Sequence, residues 1–209
     1  MTSDLPTREG KMREYISKES LYLMGIPSGY QGKFLSDYHF AEPKLKSIIQ
    51  GYVTNPRDML NDCVNLLFRG QNGAGKSFLA SIILQELYIR YYSGYLTTFN
   101  EIIRKTYSQQ DVSSVYDSEF LVIDELGAEV DTAKGAEKAL LENILKIRDT
   151  KGLPTIICTN LKSEELTNRY GYTIDSMLNL FIQVTFTTND GRREAFRNKD
   201  AIKKLRQGG

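Results

Sequence analysis

Apolar and polar positions follow two rhythms along this chain. From Glu42 onward, short apolar runs at 64–69, 95–99, 120–123, 155–159 and 181–186 alternate with stretches whose apolar residues recur every three or four positions. Short apolar runs between turn formers read as buried strands, and helical spacing between them reads as connecting helices. The stretch 77–91 carries Leu79, Ile82, Ile83 and Leu87 on one helical face. The stretch 134–149 carries Ala136, Ala139, Leu140, Ile144 and Ile147, and stops where Gly152 and Pro154 forbid continuation. Another helix is expected to start at Ser163, a suitable N-cap, with Glu164 and Glu165 where the helix dipole favours negative charge. This order of elements predicts an α/β fold with a central parallel sheet between helices.

The first forty residues break the pattern. They are polar and rich in tyrosine, with a short helix expected around 11–24, ahead of the turn-prone GIPSGYQG at 25–32. The chain therefore divides into an N-terminal extension at 1–40, a core at 41–191 and a C-terminal tail at 192–209. A length of 209 residues suits a single core. The net charge of +1 excludes a protein that is basic throughout, so any affinity for nucleic acid has to be local. The tail is the one place where charge is unbalanced: Arg192, Arg193, Arg197, Lys199, Lys203, Lys204 and Arg206 face only Glu194 and Asp200. It either contacts a nucleic-acid backbone or is simply solvated. Cys63 and Cys158 sit far apart in apolar runs, without disulfide or zinc spacing. The sequence has no signal-peptide pattern and no run of apolar residues long enough for a membrane span, so a cytoplasmic protein is expected.

Three strand ends carry chemistry. GQNGAGKS at 70–77 matches the phosphate-binding loop G-x-x-x-x-G-K-[ST] between a strand and a helix, the context that motif needs. Gly70, Gln71, Asn72, Gly73, Ala74, Gly75, Lys76, Ser77 and Phe78 are the expected nucleotide-binding set. Glycines let backbone N–H groups turn inward onto phosphate oxygens, Lys76 reaches the β- and γ-phosphates, and the Ser77 hydroxyl ligates Mg2+. The strand FLVI at 120–123 ends in Asp124 and Glu125. Asp124 is expected to hold Mg2+ and Glu125 to activate the attacking water. The strand TIICT at 155–159 ends in Asn160, placed to bond the γ-phosphate and the water.

These motifs, with GIPSGYQGKFLSDYHF at 25–40, FLVIDELGAE at 120–129, LPTIICTNL at 153–161 and SEELTNRYG at 163–171, resemble the AAA+ ATPases. Within them they resemble helicase loaders of the DnaC/DnaI type and transposition ATPases of the IstB type. The resemblance implies a P-loop NTPase (AAA+) core with a five-stranded sheet ordered 5-1-4-3-2, a Walker B acid pair at Asp124 and Glu125, a sensor at Asn160, and ATP bound between subunits. The family's arginine finger falls where this chain reads Asp175, Ser176, Met177, Leu178. Arg148 and Arg169 are the candidate replacements, and Arg192 is a candidate phosphate ligand. Tyr15, Tyr22, Tyr30 and Tyr38 are candidate partner anchors.

The resulting expectation is an ATP- and Mg2+-dependent ATPase, slow or stimulated by a partner, with Glu125, Lys76, Asn160 and Arg148 catalytic. The expected partners are a replicative helicase, single-stranded DNA and, on ATP binding, further copies of the chain, with no membrane. The alternatives are an IstB-like transposition ATPase and a helicase-binding module that binds ATP without turning it over.

Overall fold

Alternation along each strand sorts its side chains to the two faces of the sheet. In the structure, a computed structural model describing residues 16–129 and 135–187, Leu66, Phe68, Val122, Ile156 and Cys158 join one apolar layer. Leu67, Leu121, Ile123 and Ile157 join the other. The strands are β1 (Leu66–Arg69), β2 (Gly94–Thr98), β3 (Phe120–Leu126), β4 (Thr155–Thr159) and β5 (Ile182–Thr185). They lie in the order β2-β3-β4-β1-β5 with every pair parallel. This is the expected 5-1-4-3-2 order, and it buries the central strands on both faces.

Helices cover both layers: α1 (Lys18–Leu23), α2 (Pro43–Thr54), α3 (Pro56–Asn61), α4 (Lys76–Tyr88), α5 (Phe99–Tyr107), α6 (Ser113–Asp117), α7 (Ala136–Thr150) and α8 (Ser163–Leu178). Pro43 and Pro56 open α2 and α3, where a missing N–H costs nothing. The apolar run at 95–99 stops one residue early because the Thr98 side chain accepts from Glu101 N at 3.1 Å and caps α5. Ser163 is the first helical residue of α8 rather than its N-cap. The capping contact comes from Glu165, whose Oε2 accepts from Lys162 N at 2.6 Å, while Ser163 Oγ accepts from Arg69. Gly171, at φ 82° and ψ 171°, kinks α8.

Packing does not respect the boundary expected at residue 40. Leu21, Met24, Ile26, Phe34 and Tyr38 are buried, all but Phe34 in the same layer as β1 and α4. Within the expected helix at 11–24 the structure shows α1, and residues 1–15 lie outside the described residues. Helix α1 ends in a Schellman turn: Gly25 N donates to Tyr22 O and Ile26 N to Leu21 O, at 2.9 Å each. Gly25, at φ +76°, presses on the edge strand so closely that a Cβ would lie 1.9 Å from Leu96 O. Leu96 N donates to Met24 O at 2.8 Å. The turn thus occupies part of an otherwise open sheet edge. Of the candidate anchors, Tyr38 is buried, Tyr30 half-buried and Tyr22 exposed. Tyr15 and the tail from Arg192 onward lie outside the described residues.

Candidate nucleotide-binding site

The site is assembled at the C-terminal ends of β1, β3 and β4, where open α/β sheets bind ligands. After Arg69 the chain must turn sharply into α4. Gly73 and Gly75 take left-handed φ values of 82° and 94°, which glycine adopts without a steric penalty. Gly70 lies against β5's far end, where a Cβ would sit 2.7 Å from Phe186 O. Lys76 opens α4, and its Nζ donates to Gly70 O at 2.7 Å and Gln71 O at 3.0 Å, across the mouth of the loop. Burial pulls the Lys76 ammonium below its ordinary value, opposed by the nearby Cys158 and Asp124.

Asp124, 8% exposed, accepts on Oδ1 from Ser77 Oγ at 3.0 Å and from Glu125 N at 2.9 Å. The β3–β4 register slips between Ile123 and Leu126, and Glu125 within that bulge has φ 55°. The bulge breaks the alternation, so Glu125 is exposed between two buried neighbours. A non-glycine residue held there costs on the order of 1 kcal/mol or more, and such strain gathers at functional sites. On β4, Thr159 Oγ1 donates to Leu126 O at 2.7 Å and accepts from Leu161 N at 3.1 Å, tying the two strand ends together. Asn160 follows and is exposed.

One cleft of about 300 Å3 brings together Asn72, Gly73, Gly75, Lys76, Ser77, Phe78, Asp124, Glu125 and Asn160. Gly70 and Gln71 serve it through the carbonyls that hold Lys76, and Ala74, buried, shapes the loop from beneath. Sequence reasoning missed Tyr30, Ala128, Cys158 and Thr159, which also line the cleft. Cys158 could have been inferred, since it precedes Asn160 by two residues and so shares the strand end. Burial pushes its thiol well above the ordinary value, which keeps it neutral. Ser77 Oγ and Asp124 Oδ1 are hard oxygen donors at one point of the cleft and suit Mg2+, which usually takes few protein ligands beside phosphate and water. Among the described residues no cluster of three or more His, Cys, Asp or Glu could hold a metal ion by itself.

The assignment of Arg148 needs correction. Arg148 is 0% exposed and lies at the N-terminal ends of the strands, away from the cleft. Nε donates to Thr155 Oγ1 at 2.9 Å, Nη1 to Val115 O and Ser118 O at 3.0 Å each, and Nη2 to Pro154 O at 2.7 Å and Glu119 O at 3.4 Å. With every donor occupied inside its own domain, Arg148 cannot reach a neighbouring subunit's phosphate. Burial draws its pKa down to about 10, so it stays charged at neutral pH. Arg169 is also engaged: Nε meets Glu129 Oε1 at 3.0 Å and Nη2 donates to Glu129 O. Buried Glu129 further accepts from Tyr170 OH and, at 3.0 Å, from Gly127 N. Glu129 thereby clamps the loop after β3 onto α8, a role the DELGAE motif did not signal. Met177 is half-buried and packs inward against the layer that includes Leu141 and Phe181. Arg192 lies outside the described residues.

No family model matches the chain. It is 31% identical over 116 residues to the replicative helicase loader DnaC of Escherichia coli K12, an alignment covering 51% of this chain and 46% of that protein. The chain thus spans about half the length of the curated relatives it matches. Its structure superposes on the crystal structure of the DnaC helicase loader with a TM-score of 0.67 at 23% identity, over 77% of this chain and 100% of that one. DnaI matches with a TM-score of 0.64 at 20% identity over 83% and 95% of the two chains. AMPPCP-bound DnaA from Aquifex aeolicus matches at 0.63 and 15% identity, over 87% and 56%. The fold is the AAA+ P-loop fold of these replication proteins, and the chain resembles the DnaC/DnaI type within it. Among the described residues no helix is long and apolar enough to cross a membrane.

Proposed function

We propose that this chain is an ATP-dependent DNA replication factor of the helicase-loader kind. The observation that carries the proposal is the convergence of Lys76, Ser77, Asp124, Glu125 and Asn160 on one cleft at three adjacent strand ends. Lys76 moves from the Gly70 and Gln71 carbonyls to the β- and γ-phosphates, which offer it more negative charge. Ser77 and Asp124 hold Mg2+, which when bound neutralises charge on the phosphate oxygens. Glu125, carried into the cleft by its bulge, takes a proton from water as the water oxygen bonds to the γ-phosphorus. The bond from that phosphorus to the β–γ bridging oxygen breaks, and ADP leaves. Asn160 orients the water or the phosphate through its amide.

The same residues form a switch. The Thr159–Leu126 bond joins Asn160's strand to Glu125's, and the Glu129 clamp carries a shift of that loop into α8. ATP binding would then favour one arrangement of α8 and hydrolysis another, altering the surface offered to a replicative helicase, to single-stranded DNA or to another copy of the chain. Similarity to the replicative helicase loader DnaC supports the helicase among these partners.

A second reading is a module that binds helicase in its ATP form without turnover. It is favoured by the internal engagement of Arg148 and Arg169 and by the inward packing of Met177. One assay separates the readings: ATP hydrolysis by the chain alone and with single-stranded DNA, duplex DNA or a replicative helicase, with Glu125→Gln as blank. Stimulation by helicase or single strands supports the loader, stimulation by duplex the IstB-like alternative, and tight ATP binding without turnover the module. Failure to bind ATP at all would refute all three.

A further inference from the structure

Helix α4 is enclosed on every side, and Ser81, Gln85 and Glu86 are buried with its apolar residues. Phosphate binding uses only the helix's first turn, so these polar groups need another explanation. They form a ladder leading away from the phosphate loop. Ser81 Oγ donates to Ser77 O at 2.8 Å, and Gln85 Nε2 donates to Ser81 O at 3.1 Å and to Tyr30 O at 3.0 Å. Gln85 Oε1 accepts from Gly32 N at 2.7 Å, and Glu86 Oε1 accepts from Leu35 N at 3.1 Å. The segment 26–38 is thus fastened across α4 by its own backbone.

The rings of that segment continue the contact. Tyr30 and Tyr38 pack on Phe78 with centroids 5.3 and 5.9 Å away. Tyr30 also lines the cleft, and with Ser77, Asp124 and Glu125 it borders an adjoining groove of about 710 Å3. Gln85 is 0% exposed, so water cannot replace its bonds. An apolar side chain there would leave Tyr30 O and Gly32 N without their partner, and a carboxylate would set an acceptor against two carbonyls.

We propose that Gln85 is a positioning residue for nucleotide binding: it fixes the 26–38 strap so that Tyr30 forms a wall of the phosphate cleft. The inference rests on the reading of that cleft as an ATP site. Coupling is reciprocal, so bound ATP tightens the strap as the strap tightens ATP binding.

The test combines ATP–Mg2+ titration of the parent, Gln85→Leu, Tyr30→Ala and the double variant with amide hydrogen exchange of the parent with and without ATP. Each single change is expected to weaken ATP binding about five- to tenfold, the scale of one or two lost hydrogen bonds. The double variant should be no weaker than the poorer single one, because both changes remove the same wall. In the parent, ATP should slow exchange at Gly32 and Leu35. Parental affinity in Gln85→Leu, additive losses in the double variant, or exchange at Gly32 and Leu35 indifferent to ATP would each overturn the proposal. Should Gln85→Leu fail to fold, the parent's exchange and the Tyr30→Ala affinity still decide. A parent that binds no ATP removes the ATP site itself and the inference with it; a parent that binds ATP as Gln85→Leu does removes the inference alone.

Discussion

Replacing Arg148 with methionine distinguishes a structural arginine from a catalytic one. The substitution keeps most of the aliphatic volume but deletes the guanidinium, and with it five hydrogen bonds. Four of the acceptors are main-chain carbonyls, at Val115, Ser118, Glu119 and Pro154, fixed at the junction of α6, β3 and β4. A buried acceptor left unsatisfied costs about 1–3 kcal/mol. The sum is reduced because the parent already carries the cost of burying a cation, which is what draws Arg148 toward a pKa of about 10. A net loss of about 3–5 kcal/mol follows. For a domain of this size that lowers the melting temperature by roughly 10 °C. Urea unfolding followed by circular dichroism gives the free energy, and ATP titration of the folded fraction gives site integrity. The expected outcome is a much less stable protein whose folded molecules bind ATP like the parent. Unchanged stability together with lost hydrolysis, restored by mixing with Lys76→Ala subunits, would refute the reasoning and return Arg148 to a role in trans.

Other consequences follow from the same geometry. Lys76→Ala should reduce ATP affinity at least a hundredfold, measured by titration, since it removes the only cation in the cleft wall among the described residues; retained affinity would displace the phosphate loop from its role. Glu125→Gln should leave ATP affinity within about threefold and abolish steady-state turnover, because an amide cannot take the proton. Gly127→Ala, at φ +98° with a Cβ 2.4 Å from Leu161 Cδ1, should destabilise the fold by about 1–3 kcal/mol in denaturant unfolding. It should also slow hydrolysis by displacing the chain next to Asn160. Deleting the residues after Phe196 should weaken DNA binding and flatten its dependence on salt, and an unaltered slope would mean that the tail is merely solvated.

The legible parts of this molecule were the local ones. The phosphate loop, the acid pair and Asn160 each occupy a few consecutive residues at a strand end, and a parallel sheet with this strand order carries three such ends to one place. Arg148 was misread because resemblance to the family supplies a position in the sequence and not the direction in which a side chain points. What buries it are carbonyls about thirty residues away, at 115–119. The segment before residue 40 looked peripheral because its composition is polar. Its attachment depends on Gln85, which helical periodicity alone would place in solvent, and on Glu86, a charged residue that shares the face of Ile82 and Ile83 and meets the strap only in the folded chain. The bulge at Glu125 leaves no trace in sequence, since a glutamate gives no sign of a left-handed backbone.

That backbone has a consequence for anyone breeding a hardier form of this protein. Position 125 would be more comfortable as glycine or asparagine, which enter the left-handed region readily, so either replacement should raise the unfolding free energy by about 1 kcal/mol. A library ranked only by heat resistance would therefore drift toward variants lacking the proposed base, and endurance would improve as chemistry disappeared. Screens on this scaffold have to score turnover and survival together.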